Sequence, residues 1–314
     1  YCTNLKTINL PESLEKIGRS AFSKCNSLAY IVLPKGLKRI DHYGFAGCPF
    51  KEIELPQGLE TISSNVFSGC TQLSTIEIPE GITAIGSWSF YGCTALKKIK
   101  LPETVQSIGD AAFWGCTRLT AIELPDSIES MGEDVFRECE NLHEIVLPEK
   151  LNKIERHSFQ ECDSLACVAI RKSVTEIEDE VFSGCTDLTD VYYEGTEEDR
   201  NTITIGDGNT VLQNAMWHYE RKNIDTNDDE KIITVDHLKY KLNEEGLEYS
   251  LVGYEDGISS KISIPKEVNG IPVTAIGQKA FEECEGLKSV DIPDGIENIG
   301  DFAFAFCENL QDVK

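Results

Sequence analysis

The side chains with the most evident chemical potential are the thiols. Twelve cysteines occur in 314 residues, and ten of them sit three places after a phenylalanine: Phe22/Cys25, Phe45/Cys48, Phe67/Cys70, Phe90/Cys93, Phe113/Cys116, Phe136/Cys139, Phe159/Cys162, Phe182/Cys185, Phe281/Cys284 and Phe304/Cys307. A thiol can serve as nucleophile, metal ligand or disulfide partner, and each use carries its own spacing. Zinc sites use tight clusters such as Cys-x-x-Cys, which are absent. Disulfide frameworks show varied spacings in short secreted chains, whereas these intervals are regular. Stacked rungs stand ~4.8 Å apart with parallel Cα–Cβ vectors, while a relaxed disulfide brings its Cβ atoms to about 3.8 Å. The pattern predicts reduced, buried thiols acting as compact apolar fillers. Cys167 lies off this ladder, at an outward strand position, and is expected to be solvent-accessible, with nothing beside it to activate it.

Other chemistry is sparse. His42, His143, His157, His218 and His237 are scattered and form no recognisable triad or metal pair. No Gly-x-Ser-x-Gly, phosphate loop or His-Glu-x-x-His is present. Gly206–Asn209 reads as a turn. Asp225, Asn227, Asp229 and Asp236 fall at positions one, three, five and twelve of a calcium loop. Glu230, however, stands where that loop needs glycine, and a strand follows, so an acidic linker is expected. The sequence predicts no catalytic residue, no metal and no cofactor.

The elements that carry the Phe/Cys pairs follow from their spacing. Aligned on Phe-x-x-Cys, the unit reads L-x-x-I-x-L-P-x-x-L-x-x-I-x-x-x-A-F-x-x-C, as in residues 96–118. Units begin at Leu5, Leu28, Phe50, Leu73, Leu96, Leu119, Leu142 and Leu165, every 23 residues apart from one 22-residue unit. Such periods define repeat arrays whose units bury their apolar faces only by stacking. The first six residues alternate with period two, as a strand does, and proline closes it. The A-F-x-x-C segment is expected to return as a short helical turn, with Phe and Cys on one side. Cys2 fits the ladder one repeat before Cys25, and Lys314 falls inside a repeat, so a fragment of a longer chain is expected.

The pattern breaks after Leu188. Residues 1–221 are read as one array whose last unit, 188–221, is an atypical cap. Residues 222–231 are a charged linker. Residues 232–314 start a second array, with a β-hairpin around Asn243–Gly246 as its cap. Five extra residues surround Asn269-Gly270-Ile271-Pro272.

The net charge of −25 argues against nucleic acid. It is uneven: eight basic against three acidic residues give +5 over 1–51, and seven against 22 give −15 over 119–200. No apolar run reaches the ~18–20 residues of a membrane span.

The repeat consensus closely resembles the BspA-like class of bacterial leucine-rich repeats over nearly all of 5–188 and 259–314. The resemblance implies a leucine-rich-repeat solenoid, a right-handed superhelix with a parallel concave sheet and about 23 residues per coil, here in two arrays. It also implies a secreted or cell-surface location and, in some members, adhesion to host or bacterial proteins. It implies no catalytic residues. The candidate recognition surface is the pair of outward strand columns, with Tyr30, Glu52, Glu54, Glu77, Lys98, Lys100, Glu123, Glu144, Asp190 and Tyr192 as its distinctive members. A protein ligand is the expected partner. The alternatives are merely tolerated surface positions on a structural spacer, or a glycan-binding accessory module, for which Tyr30 and Tyr192 are the only aromatics in the columns.

Overall fold

A computed structural model describes residues 2–219, 232–242, 248–254 and 258–314. The chain divides into two compact units, Tyr1–Ile224 and Asp225–Lys314. The first is a solenoid of short parallel strands, with two four-residue helices, Glu197–Arg200 and Val211–Asn214.

Two kinds of strand segment recur along the coils. The L-x-x-I-x-L segment pairs Thr75–Glu77 with Lys98–Lys100, and, further along, Glu144–Val146, Cys167–Ile170, Asp190–Tyr193 and Met216–His218. The expected continuous sheet is thus interrupted, since residues 5–10, 28–33, 50–55 and 119–124 carry no strand. A second strip runs through these same coils, from Lys16–Ile17 through Arg39–Ile40, Thr61–Ile62, Ala84–Ile85 and Ser107–Ile108 to Ser130–Met131. Its register steps by 23 residues, as in Lys16↔Arg39 and Ser107↔Ser130. Two-residue strands are too short to print a period of two in sequence, so this strip went unread. Its inward residues, Ile17, Ile40, Ile62, Ile85, Ile108 and Met131, are buried.

The third side corrects the expected helical turn. The residue two before each phenylalanine and the one before each cysteine adopt left-handed backbone, as Ala111 (φ 51°) and Gly115 (φ 71°) do around Phe113. A helical turn holds no such residues. Instead, the N–H groups at these two positions and at the phenylalanine point along the solenoid axis to the following coil. Ala111, Phe113 and Gly115 donate to the carbonyls of Glu133, Val135 and Arg137 at 2.8, 2.9 and 2.8 Å. The same triplet recurs from coil to coil, making a wall built of backbone hydrogen bonds.

Behind this wall the phenylalanines stack. From Phe22 to Phe182 successive ring centroids lie 5.4 to 6.0 Å apart with interplanar angles of 4 to 17°. Seven of the nine buried cysteines, all but Cys25 and Cys284, have a second task besides filling space: the thiol donates to the phenylalanine carbonyl of the preceding coil. The Sγ–O distances are 3.2 Å for Cys93 to Phe67, 3.3 Å for Cys116 to Phe90 and 3.1 Å for Cys162 to Phe136. All twelve cysteines are free thiols. The expectation of burial fails only at end rungs, which are packed on one side: Cys2 is exposed and Cys307 half-buried.

Asn209 takes the place of the next wall residue after Phe182. Its side-chain carbonyl accepts from the Phe182 N–H at 3.0 Å, and its amide donates to the carbonyls of Glu178 and Gly206 at 2.7 and 3.1 Å. A side chain thereby replaces the missing backbone acceptor. Gly206, three residues earlier, admits no Cβ, which would lie 2.7 Å from Asp179 N.

In the second unit, Ile232–Val235, Leu238–Leu242 and Tyr249–Tyr254 form an antiparallel meander. The first turn, Asp236-His237, has both residues left-handed (φ 51° and 65°), as a two-residue type I′ turn requires. The turn expected at Asn243–Gly246 and the linker at 222–231 lie outside the described residues. Tyr249–Tyr254 then pairs in parallel with Ile271–Ile276, and Tyr254 stacks on Phe281 at 6.0 Å, in the phenylalanine column. The five extra residues form a hairpin: Glu267–Val268 returns antiparallel to Ile271–Ile276 through Asn269-Gly270.

These observations fix three outcomes. Phe113→Ala should lower unfolding free energy by ~3–5 kcal/mol, the range for a buried aromatic truncation, measured by urea titration. Asn209→Ala should cost ~1–3 kcal/mol, because it leaves a buried N–H and two carbonyls without partners; a loss within about 0.5 kcal/mol, ordinary for a surface change, would remove its capping role. Burial pushes the Cys48 and Cys185 thiols from 9.0 up to about 12. Raised folded values favour the neutral thiol in the folded state, so this stability is complete below pH 9 and is lost between about 9 and 12. Thermal melts should show a steep alkaline decline in that window, shallower in a Cys48→Ala/Cys185→Ala protein.

Candidate functional site

The inward residues of the L-x-x-I-x-L strip, such as Ile76, Ile99, Ile122 and Ile145, are buried in the core. Alternation then turns the residues on either side outward. Tyr30, Glu52, Glu54, Glu77, Lys98, Lys100, Glu123 and Glu144 are all exposed, Tyr30 at 66%. In register, Thr75 and Glu77 oppose Lys98 and Lys100. Lys100 Nζ lies 3.4 Å from Glu77 Oε1, with both side chains about 70% exposed (71% and 70%); an ion pair this exposed contributes ~0–1 kcal/mol.

Toward the end of the strip the columns close. Ala169, expected outward, is buried at 3%, and Cys167, expected accessible, is half-buried. Their flanking strands explain both. Ala169 lies in register between Val146 and Tyr192, and Cys167 between Glu144 and Asp190. The larger neighbours shade the smaller residues. One further strand, Met216–His218, was not read as part of this surface, because its coil lacks the Phe-x-x-Cys signature. It places His218 beside Tyr192, with ring centroids 4.7 Å apart and an interplanar angle of 16°. His218 Nε2 lies 2.7 Å from Asp190 Oδ1, and the Thr189 hydroxyl donates to Asp190 Oδ2 at 2.7 Å. These bonds, His218 first, hold the Asp190 carboxyl below its usual range. Asp190 and Tyr192 are therefore half-buried members of a packed cluster and differ from the open residues earlier in the strip.

Among the described residues no group of three His, Cys, Asp or Glu side chains could hold a metal. Asp225–Glu230 of the calcium-like stretch lie outside the described residues. Burial drives the Cys70, Cys93, Cys139 and Cys162 thiols well above their ordinary range, so they remain un-ionised and poorly nucleophilic. Two shallow grooves, of about 430 and 310 Å³, lie on the second strip. The larger is lined by Ser87, Ser107 and the glycines 86, 109 and 132. Those glycines are explained by packing: a Cβ on Gly109 would stand 2.5 Å from Ser87 N. Among the described residues no helix is long and apolar enough to cross a membrane.

A family model described as BspA type leucine rich repeat region matches six copies, over residues 1–120, 73–189 and 255–314. No curated protein matches the chain. Among solved structures, a leucine-rich repeat protein from Bacteroides ovatus is 26% identical with a TM-score of 0.58, covering 99% of this chain and 73% of its own. A leucine rich cell surface protein from Faecalibacterium prausnitzii is 28% identical with a TM-score of 0.48, covering 84% and 69%.

Thiol alkylation of the native protein, read by mass spectrometry, should modify Cys2 fastest and Cys167 and Cys307 more slowly. Cys93, Cys116 and Cys139 should react only after denaturation. Native labelling of those three would overturn the placement of the ladder.

Proposed function

We propose, from the premise that the chain belongs to the BspA-type leucine-rich-repeat family, that it is a non-catalytic binding or adhesion module of the cell surface or extracellular space. Its ligand is a host or bacterial surface protein. The carrying observation is the contrast along the strand strip between a uniform buried core and outward residues that change identity and charge from coil to coil. A rigid repeat scaffold carrying a varied face suits recognition. The surface location rests on family membership.

Recognition is assigned to the open part of the strip, where Lys98 and Lys100 share a rung between Glu52, Glu54 and Glu77 on one side and Glu123 and Glu144 on the other. Alternating sign sets register and on-rate more than affinity. The division of the chain into an array ending in a cap near 221, a linker at 222–231 and a second array from 232 is part of the same proposal. The Asn209 hydrogen bonds support the cap.

An array of purified extracellular-matrix and bacterial surface proteins, probed with the intact chain, tests the reading. A binder is expected whose association rate falls several-fold for Lys98→Glu/Lys100→Glu with an unchanged melting midpoint. Binding confined to a glycan array would favour the accessory-module alternative, and no binder on either array would favour a spacer.

A further inference from the structure

One surface away from the strand strip departs from the repeat. The residue after each phenylalanine is small or polar in most coils, as with Ser23, Ala46, Ser68 and Ser183, but in three consecutive coils it is Tyr91, Trp114 and Arg137. Trp88 adds a fourth large side chain from a left-handed position (φ 62°), where the adjacent coils carry Asn65 and Ala111. A bulky side chain gains nothing from that backbone. The core is already filled by the phenylalanine column behind, so the fold does not call for these rings.

They nevertheless assemble. Trp88 and Trp114 lie 5.5 Å apart, Tyr91 meets the two edge-on at 5.1 and 5.6 Å, and the Arg137 guanidinium sits 4.6 Å from the Trp114 centroid. Tyr91 is 38% exposed and the tryptophans are half-buried. No protein acceptor takes either indole N–H among the described residues. Trp114 is flanked by Trp88 from one neighbouring coil and Arg137 from the other, which leaves that ring its edges rather than an open face. A sugar ring stacks on an open face, whereas a protein side chain wedges against edges. Trp, Tyr and Arg are also the residue types that carry most of the energy in protein interfaces.

Charge defines the rest of the partner. Arg137 is compensated by Asp134 at 3.1 Å and Glu138 at 3.8 Å. Further along the same wall, Glu161 and Glu180 are exposed, and the nearby Arg156 is paired with Asp179 and His157 lies against Asp134 and Glu180, so carboxylates outnumber basic groups there. The aromatic patch therefore has an acidic margin on its C-terminal side.

We infer that the Trp88–Tyr91–Trp114–Arg137 cluster docks a protein segment presenting an aromatic or aliphatic side chain beside Lys or Arg. This rests on the protein-binding reading above and adds a second contact surface, on the turn wall, to the strand strip.

A phage-displayed library of random 12-residue peptides, selected on the intact chain, is the probe. Enriched peptides should combine an apolar side chain with neighbouring Lys or Arg. Their affinity should fall at least tenfold for Trp88→Ala/Trp114→Ala. It should also fall for Glu161→Lys/Glu180→Lys, two exposed carboxylates outside the Trp88–Tyr91–Trp114–Arg137 cluster, which separates docking from a packing defect. Failure to enrich such peptides, or affinity that survives both double variants, overturns the inference. Peptides lost only from Lys98→Glu/Lys100→Glu would overturn it while keeping the protein-binding reading. Tryptophan-dependent retention on immobilised glucan or mannan would assign the rings to glycans and overturn it as well.

Discussion

Every coil must hand three backbone N–H groups to the coil that follows, and the rest of the fold is arranged around that obligation. The donors at the two left-handed positions and at the phenylalanine between them point along the solenoid axis because the backbone reverses its hand twice within five residues. Buried amides without acceptors cost several times what a satisfied one contributes, so the 23-residue step cannot drift. Phenylalanine stacking at about 5.5 Å, the two strand strips and the close approach at Gly109 are all consequences of one spacing.

The phenylalanine carbonyl shows how economically this is met. In the coil containing Phe113 it accepts the Cys116 N–H at 3.1 Å from its own turn and the Cys139 thiol at 3.3 Å from the next coil. Serine could donate there, but a hydroxyl is poorly matched to a wholly apolar surrounding. Alanine would fit and donate nothing. Cysteine does both, which gives a physical reason for its recurrence at this position.

The sequence disclosed what depends on side-chain type and hid what depends on backbone. The period, the phenylalanine column, the buried thiols and the outward strand residues from Tyr30 to Glu144 follow from apolar spacing alone. The left-handed position two before phenylalanine did not show, because it carries Ser20, Tyr43, Asn65, Trp88 and Asp134 with no common signal, whereas the one before cysteine is glycine at 47, 69, 92, 115 and 184 and was within reach. The Asp236-His237 turn lacked the glycine that would have marked it. Cys167 and Ala169 were misjudged because exposure depends on the size of neighbours on the adjacent strands, next to them in space but 23 residues away in sequence. The turn-wall aromatics were within reach: two of the three tryptophans fall in adjacent coils, and Trp114 follows its phenylalanine at a position where Ser23, Ala46, Ser68 and Ser183 stand in other coils.

The thiol ladder also bears on time as well as on free energy. While folded, the buried sulfurs are neutral and shielded, and oxidants act on exposed thiolates. An unfolded chain would present twelve cysteines at once, nine of them in one run at intervals of 22 or 23 residues, with many ways to pair and none of them native. In an oxidising medium, each excursion out of the native state therefore risks being permanent. The lifetime of the molecule would then be set by how rarely it opens rather than by how favourably it closes.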